Sequence, residues 1–237
     1  MEGIRFHILM ITLYPRLIVM IRVFLPFFCL ILFTNSTLFA NSNVDTIRTN
    51  SLLYSGIEYT KGLILFGESP FFMGNEPAKG SIKYQGNWYD VPELQYDCRN
   101  DVLVARDRSG DMAIELIKEK IDLFNINGHH FDKLKILSRR GEFYEKVYSG
   151  KRTLYVQWQK KIISNRVDEK RYVLFRNIYL INSTDTIRIN KASEYFDLLR
   201  ENGAKIKRYY KEQHLNFRKE PVLAMESMLK KAEAEGW

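Results

Sequence analysis

Between Ser51 and Ile189 the apolar positions fall in short runs broken by turn residues, a spacing that predicts antiparallel β-structure. "SIKYQGNWYDV" sets Gly86 and Asn87 between two aromatic-rich arms, which predicts a tight hairpin with Gly86 at positive φ. "VLVARDRSGDMAIELI" repeats the pattern around Arg108, Ser109, Gly110 and Asp111, and "NINGHH", "YSGKR" and "NSTD" mark further turns. In "RTLYVQW" the period of two points Leu154, Val156 and Trp158 at a core, with Thr153, Tyr155 and Gln157 facing out. "YVLFRNIYLI", residues 172–181, is apolar on both parities, as in a strand covered on both faces or carrying a bulge. "MAIELIKEKIDLFNI" also fits a helix through Ile114, Ile117 and Ile121. Its second half is rich in Ile, Phe and Asn and is closed by Asn-Gly, so it is assigned to two strands.

The period changes after Asn190. Ala192, Tyr195, Phe196 and Leu199 form the i, i+3, i+4, i+7 stripe of an amphipathic helix, with Asn190 as its N-cap and Gly203 as its stop. A second helix is expected over 204–215. A third is expected from Pro221, whose fixed φ suits a first turn, with Met225, Met228, Leu229 and Ala232 as its apolar stripe. Helices this short are marginal alone and need a surface to dock on. The expected fold is mainly β within the α+β class. An antiparallel sheet, a curved or barrel-like meander, spans 41–190, and a C-terminal helical segment, 191–237, packs on it.

The N-terminal segment is apolar in a different way. Val23–Phe33 holds 11 residues, whereas a helix crossing a bilayer needs roughly 20. A polar break follows and then Leu38-Phe39-Ala40 before Asn41, the small-residue pattern of a signal-peptidase site cutting between Ala40 and Asn41. Residues 1–40 are therefore expected to be a secretory signal. The long front end is explained if translation begins at Met20, since Met20–Ala40 has the charge, core and length of such a signal. An uncleaved anchor over Leu17–Phe33 is the competing reading, but it would hold Arg22 in hydrocarbon. Cys29 follows Phe28 rather than a small residue, so it does not make a lipobox. The expected product is exported to the periplasm or cell envelope, with no transmembrane span after cleavage.

Residues 1–40 hold three basic residues and one acidic residue, so the net charge of +8 falls to +6 without them. "KRTLYVQWQKKIISNRVDEKR" and "KIKRYYKEQHLNFRK" interleave cations with aromatic rings, a pattern that can hold nucleic acid. An exported protein rarely meets one, and the segments are assigned to solvated strand and helix faces, with no nucleic-acid partner. Cys98 is the one cysteine after the leader, so no internal disulfide forms and the apolar core must carry stability. His129 and His130 are adjacent and point to opposite faces of a strand, which separates them as metal ligands. No metal, no cofactor and no catalytic residue is assigned. G-x-S-x-G, P-loop, G-x-G-x-x-G and H-E-x-x-H patterns are not found, and no carboxylate pair is nominated by position.

Tyr84, Trp88, Tyr89 and Tyr96 lie within 13 residues and are the candidate binding residues. Such rings serve a carbohydrate or peptide platform, or pack as cross-strand pairs. "GSIKYQGNWYDVPELQYDCRNDVLV", "IDLFNINGHHF", "GEFYEKVYSGK" and "YYKEQHLNFRK" together resemble an uncharacterised group of exported, signal-peptide-bearing β-rich proteins of Bacteroidota. Leu94, Tyr96 and Asp97 match one of its patterns; Gly141, Phe143, Tyr144, Glu145 and Tyr148 match another. The resemblance implies location and architecture and brings no activity or site role. The expected function is non-catalytic binding or scaffolding in the envelope, with an unknown envelope protein or small apolar ligand as partner. The alternatives are a carrier enclosing an apolar ligand in the curved sheet, and an envelope hydrolase using carboxylates or Cys98.

Overall fold

The computed structural model describes residues 52–60, 65, 68–107, 109–136, 139–164 and 170–237. The start at Met20 and the cleavage between Ala40 and Asn41 lie outside the described residues. Among the described residues eleven strands form one antiparallel sheet: β1 (Ile57–Glu58), β2 (Ala78–Tyr84), β3 (Asn87–Asp97), β4 (Val102–Arg106), β5 (Ala113–Glu115), β6 (Ile121–Ile126), β7 (His129–Leu134), β8 (Glu142–Tyr148), β9 (Thr153–Ser164), β10 (Lys170–Ile181) and β11 (Thr186–Ile189). Helices α1 (Ala192–Leu198), α2 (Gly203–Glu212) and α3 (Pro221–Ala234) follow. The spatial order is β1-β5-β4-β3-β2-β6-β7-β8-β9-β10-β11, so the sheet is two meanders joined where β2 pairs with β6. It is curled and stays open, with β1 and β11 at its edges.

The turns sit where the sequence demands unusual backbone. Gln85 (φ 49°) and Gly86 (φ 81°) form the two-residue β2–β3 loop, and Asn87 already opens β3. Positive φ at both loop positions matches the twist of the flanking strands. Asn127 and Gly128 repeat the geometry between β6 and β7.

The inner face of β2–β8 is filled by aromatic rings. Phe124 stacks on Phe131 with centroids 4.6 Å apart, and Tyr96 and Phe143 meet them at tilted or edge-on angles. All four side chains are buried. Phe72, from the segment preceding β2, packs on Phe131, His129 and Trp158 and closes this interior. Beyond β8, the same face of β9–β11 carries Leu154, Val156, Ile178, Leu180 and Ile189, which pack with Tyr195, Ile206, Met225, Met228 and Leu229 of the helices. Among the described residues no helix is long and apolar enough to cross a membrane.

The opposite face departs from the simple alternation. Leu154 and Val156 face the core as expected, but Tyr155 and Gln157, expected outside, are also buried. A tyrosine layer explains this: Tyr144, Tyr155 and Tyr179 cluster on that face, with Tyr144 and Tyr179 edge-to-face at 5.7 Å. In 172–181 only Ile178, Tyr179 and Leu180 form a run covered on both sides, while Leu174 and Phe175 are exposed. Two helix-end expectations are also corrected. The Asn190 side chain does not cap α1; its backbone N–H donates to Glu194 Oε2 at 2.7 Å. Gly203 opens α2 instead of stopping α1: its φ of −57° is right-handed, and glycine is needed there because a Cβ would lie 2.3 Å from the Phe196 carbonyl oxygen.

Asp132, on the tyrosine face, accepts hydrogen bonds from Tyr155 Oη (2.7 Å) and His130 Nε2 (2.9 Å) and pairs with Lys146 (2.6 Å). Burial alone would raise its carboxyl, but Lys146, Tyr155 and His130 outweigh it and hold it below the usual range. A carboxyl depressed in the fold adds stability above its unfolded value near 4, which is lost as pH falls through the folded value. Asp101 has the opposite sign, since burial raises its carboxyl against Lys118, Tyr96 and the Phe143 N–H. Its contribution is present at low pH and lost as pH rises through its folded value. Asp132→Asn is therefore expected to flatten the acid side of a urea-midpoint profile from pH 7 to pH 2. An unchanged slope in the variant would show that Asp132 titrates alike in folded and unfolded chains.

Candidate functional site

The clearest site on the sheet lies where β10 outruns its neighbour. β11 pairs with β10 only from Ile178 to Ile181, then the chain turns at Asn190 into α1 and leaves Arg176 and Asn177 beyond the end of the edge strand. The α2–α3 connection forms the facing wall. Asn216 Oδ1 accepts the backbone N–H groups of Arg218 and Lys219, both at 3.1 Å, and the Phe217 N–H donates to Tyr210 Oη at 2.9 Å. Tyr210 is braced edge-on by Phe196 at 5.6 Å. The result is a cleft of about 600 Å³ lined by Arg176, Arg188, Lys191 and Arg218, with Tyr210 and Phe217 as apolar walls.

Charge sets this cleft apart. Its described lining residues include four cations and no carboxylate. Among the described residues none of the four cations makes an ion pair. Two guanidinium groups are instead oriented by neutral acceptors: Arg188 Nη2 donates to Asn177 Oδ1 at 2.7 Å, and Arg176 Nη2 to the Lys219 carbonyl at 3.3 Å. Each bond uses one of the five N–H donors of an arginine, leaving a fork that fits phosphate, sulfate or carboxylate oxygens. A concave surface of one sign also concentrates counter-ions. No Cys, His or Ser is among the described lining residues, and what the cleft presents is charge and hydrogen-bond donors.

The residues nominated from sequence lie elsewhere. Tyr84, Tyr89 and Tyr96 are buried, and of the four candidates only Trp88, 56% exposed, reaches solvent. Tyr84 and Tyr89 meet edge-to-face at 6.2 Å, and Tyr96 Oη donates to Asp101 Oδ1 at 2.7 Å. These three rings are cross-strand packing and do not form one surface with Trp88. Burial pushes the phenols of Tyr84 and Tyr96 up, as expected of core tyrosines. His129 and His130 do face opposite ways: His129 meets the buried Glu145 on the inner face, and His130 meets Asn125 and Asp132 on the other. Neither is a free surface histidine, since each is held by these partners. Among the described residues no three His, Cys, Asp or Glu side chains are placed to hold a metal ion. Cys98 is buried just past β3, and that burial pushes its thiol well up, away from the reactive thiolate.

The cleft residues escaped sequence reading for a topological reason. The alternation of cations and rings in "KIKRYYKEQHLNFRK" was visible and holds Tyr210, Phe217 and Arg218, yet nothing local joined it to Arg176 and Arg188 on a hairpin.

The class so defined is an open, curled antiparallel sheet whose edge meets a C-terminal helical segment at a basic cleft. Comparison of the chain with protein-family models, with curated proteins and with solved structures gives no match.

Proposed function

We propose that this is an exported, non-catalytic binding protein of the periplasm or cell envelope that holds an anionic ligand in the sheet–helix cleft. The observation that carries the reading is the set of four cations, free of ion pairs among the described residues, around a cleft of about 600 Å³ with no carboxylate among its described lining residues. The volume lies in the range of small-molecule sites. The carrier reading draws less support, because the interior of the curl is occupied by Tyr96, Phe124, Phe131 and Phe143. Export rests on the leader, and N-terminal sequencing of the secreted protein is expected to begin at Asn41; a start upstream of Asn41 would overturn cleavage.

The binding claim is tested by calorimetric titration with pyrophosphate, a sulfated disaccharide and the same disaccharide unsulfated. The charged probes are expected to bind and to weaken as salt rises, because exposed charges are screened over about 8 Å at physiological ionic strength. Arg188→Gln with Arg218→Gln is expected to weaken them by roughly 100-fold, at about 1.5 kcal/mol for each charge-assisted hydrogen bond lost. Equal binding of the unsulfated sugar, or no change in the double variant, would defeat the reading.

A further inference from the structure

Behind the basic cleft a chain of hydrogen bonds crosses four neighbouring strands, linking Glu142, Gln157, Asn177 and Arg188, one side chain from each of β8 to β11. It starts at Glu142, which is not among the described lining residues of the cleft. Glu142 Oε2 accepts hydrogen bonds from Gln157 Nε2 at 2.9 Å and from Tyr144 Oη at 3.0 Å. Gln157 stands opposite Asn177 in register, and its Oε1 accepts a bond from Asn177 Nδ2 at 3.1 Å. Asn177 Oδ1 in turn accepts the 2.7 Å bond from Arg188 Nη2 at the cleft. Gln157 and Tyr144 are buried, which shelters the root of the chain from competing water.

The chain has a direction, and its sheltered end sets it. A carboxylate accepts and does not donate, so Gln157 turns its NH2 to Glu142 and its oxygen to Asn177. Asn177 then gives its own NH2 to Gln157, which leaves its oxygen for Arg188. Reversing the two amides would set oxygen against oxygen at Glu142 and NH2 against the guanidinium at Arg188. Tyr144 fixes the same Glu142 oxygen from another side. Burial first, and then its bond to Glu142, push the Tyr144 phenol well up and keep it a donor.

We infer that Glu142 is a positioning residue of the cleft: through Gln157 and Asn177 it holds the Arg188 guanidinium in place, so that an anionic ligand need not order that side chain on binding. The gain in affinity rests on the binding reading above; the relay itself needs no ligand. Ordering one long side chain in advance is worth roughly 3- to 10-fold in affinity. Sign separates this role from plain electrostatics. Removing a negative charge behind a cationic cleft strengthens anion binding, whereas cutting the relay weakens it.

The test compares Glu142→Leu with Glu142→Gln, which lose the same charge, while only glutamine keeps an oxygen for Gln157 and Tyr144. Calorimetric titration with the sulfated disaccharide is expected to show Glu142→Leu binding roughly 3- to 10-fold more weakly than Glu142→Gln. In an Arg188→Gln background the two are expected to bind alike, because the chain no longer ends on a guanidinium. Side-chain NMR without ligand reads the relay directly. Exchange of the Arg188 guanidinium N–H groups with water is expected to speed up in Glu142→Leu, and that of Arg176, held by the Lys219 carbonyl, to stay as it was. Equal binding by the two variants, a difference that persists without Arg188, or unchanged Arg188 exchange would each overturn the inference. If no charged probe binds the unmodified protein, the binding reading fails by itself and Arg188 exchange decides the relay: faster in Glu142→Leu upholds it, unchanged removes it. Should Glu142→Leu not fold, Gln157→Met takes its place, since it cuts the chain one link on and keeps the Glu142 charge. Arg188 exchange as slow there as in the unmodified protein would overturn the relay, and faster exchange would uphold it.

Discussion

Phe131→Ala is expected to lower the folding free energy by about 4 kcal/mol, near the middle of the range for removing a buried phenylalanine ring. Phe131 stacks parallel on Phe124, meets Tyr96 at 5.2 Å and receives Phe72 edge-on at 5.3 Å. The neighbours come from β3, β6 and the segment before β2, so they cannot collapse together into the space one ring vacates. Transfer and cavity terms therefore add. Phe131→Leu keeps most of the volume and is expected to cost roughly 1.5 kcal/mol. Urea unfolding checks both values, with an unchanged slope and a shifted midpoint. A small domain holds only about 5–15 kcal/mol in total, so the alanine variant should be visibly closer to unfolding at 37 °C. A loss below about 1 kcal/mol would mean that the curl is loosely filled, and would return weight to a carrier of apolar ligands.

What could be read from the chain, and what could not, divides by the range of the interaction that decides it. Hairpin turns were legible to within a residue, because positive φ is a demand on one or two residues: Gly86 takes the expected positive φ, but its partner in the loop is Gln85 and not Asn87, which opens β3. The stripe of α3 was legible because one period places Met225, Met228, Leu229 and Ala232 on a single buried face. The separation of His129 from His130 followed from strand parity alone. Pairing of β2 with β6 was not legible, since no local pattern says which strand a hairpin meets next. The tyrosine layer failed for a related reason: parity says that Tyr155 opposes Val156, but not that Tyr144 and Tyr179 will cover it. The aromatic candidates show the same limit. Trp88 and Tyr89 are neighbours on β3, yet one is exposed and the other buried, and only the partner strands decide which.

The basic cleft belongs to the illegible part for one physical reason. It is made where the helical segment meets the sheet, by side chains far apart in the chain: Arg176 and Arg188 from the sheet, Tyr210 and Arg218 from the helical segment. Sequence gave the helices an apolar face to dock with, and docking places that face on β9–β11. The cations are carried along on positions that do not take part in the apolar contact. Their clustering is a by-product of register between two elements rather than of any motif.

Asp97→Ala is expected to cost about 3 kcal/mol, and the reasoning rests on what the carboxylate holds together. Asp97 is fully buried at the end of β3 and accepts four hydrogen bonds: from Tyr59 Oη (2.8 Å), the Arg99 and Asn100 backbone N–H groups (2.8 and 3.0 Å), and Asn100 Nδ2 (2.8 Å). It thereby shapes the turn into β4 and anchors Tyr59, which packs on Phe71 at 5.9 Å. Alanine removes the acceptors and leaves the donors. Arg99 and Asn100 are exposed and can turn to water, so only part of the penalty for each stranded group applies, which keeps the sum near 3 kcal/mol. Asp97→Asn separates charge from shape. Its amide oxygen can serve both backbone N–H groups, but its NH2 then confronts the Asn100 amide and the Tyr59 hydroxyl, so roughly half the loss is expected. Hydrogen exchange at the Arg99 and Asn100 amides should accelerate in the alanine variant and stay slow in the asparagine one. If both variants unfold at the midpoint of the unmodified protein with unchanged exchange, the turn is held by its backbone alone and the carboxylate is a passenger.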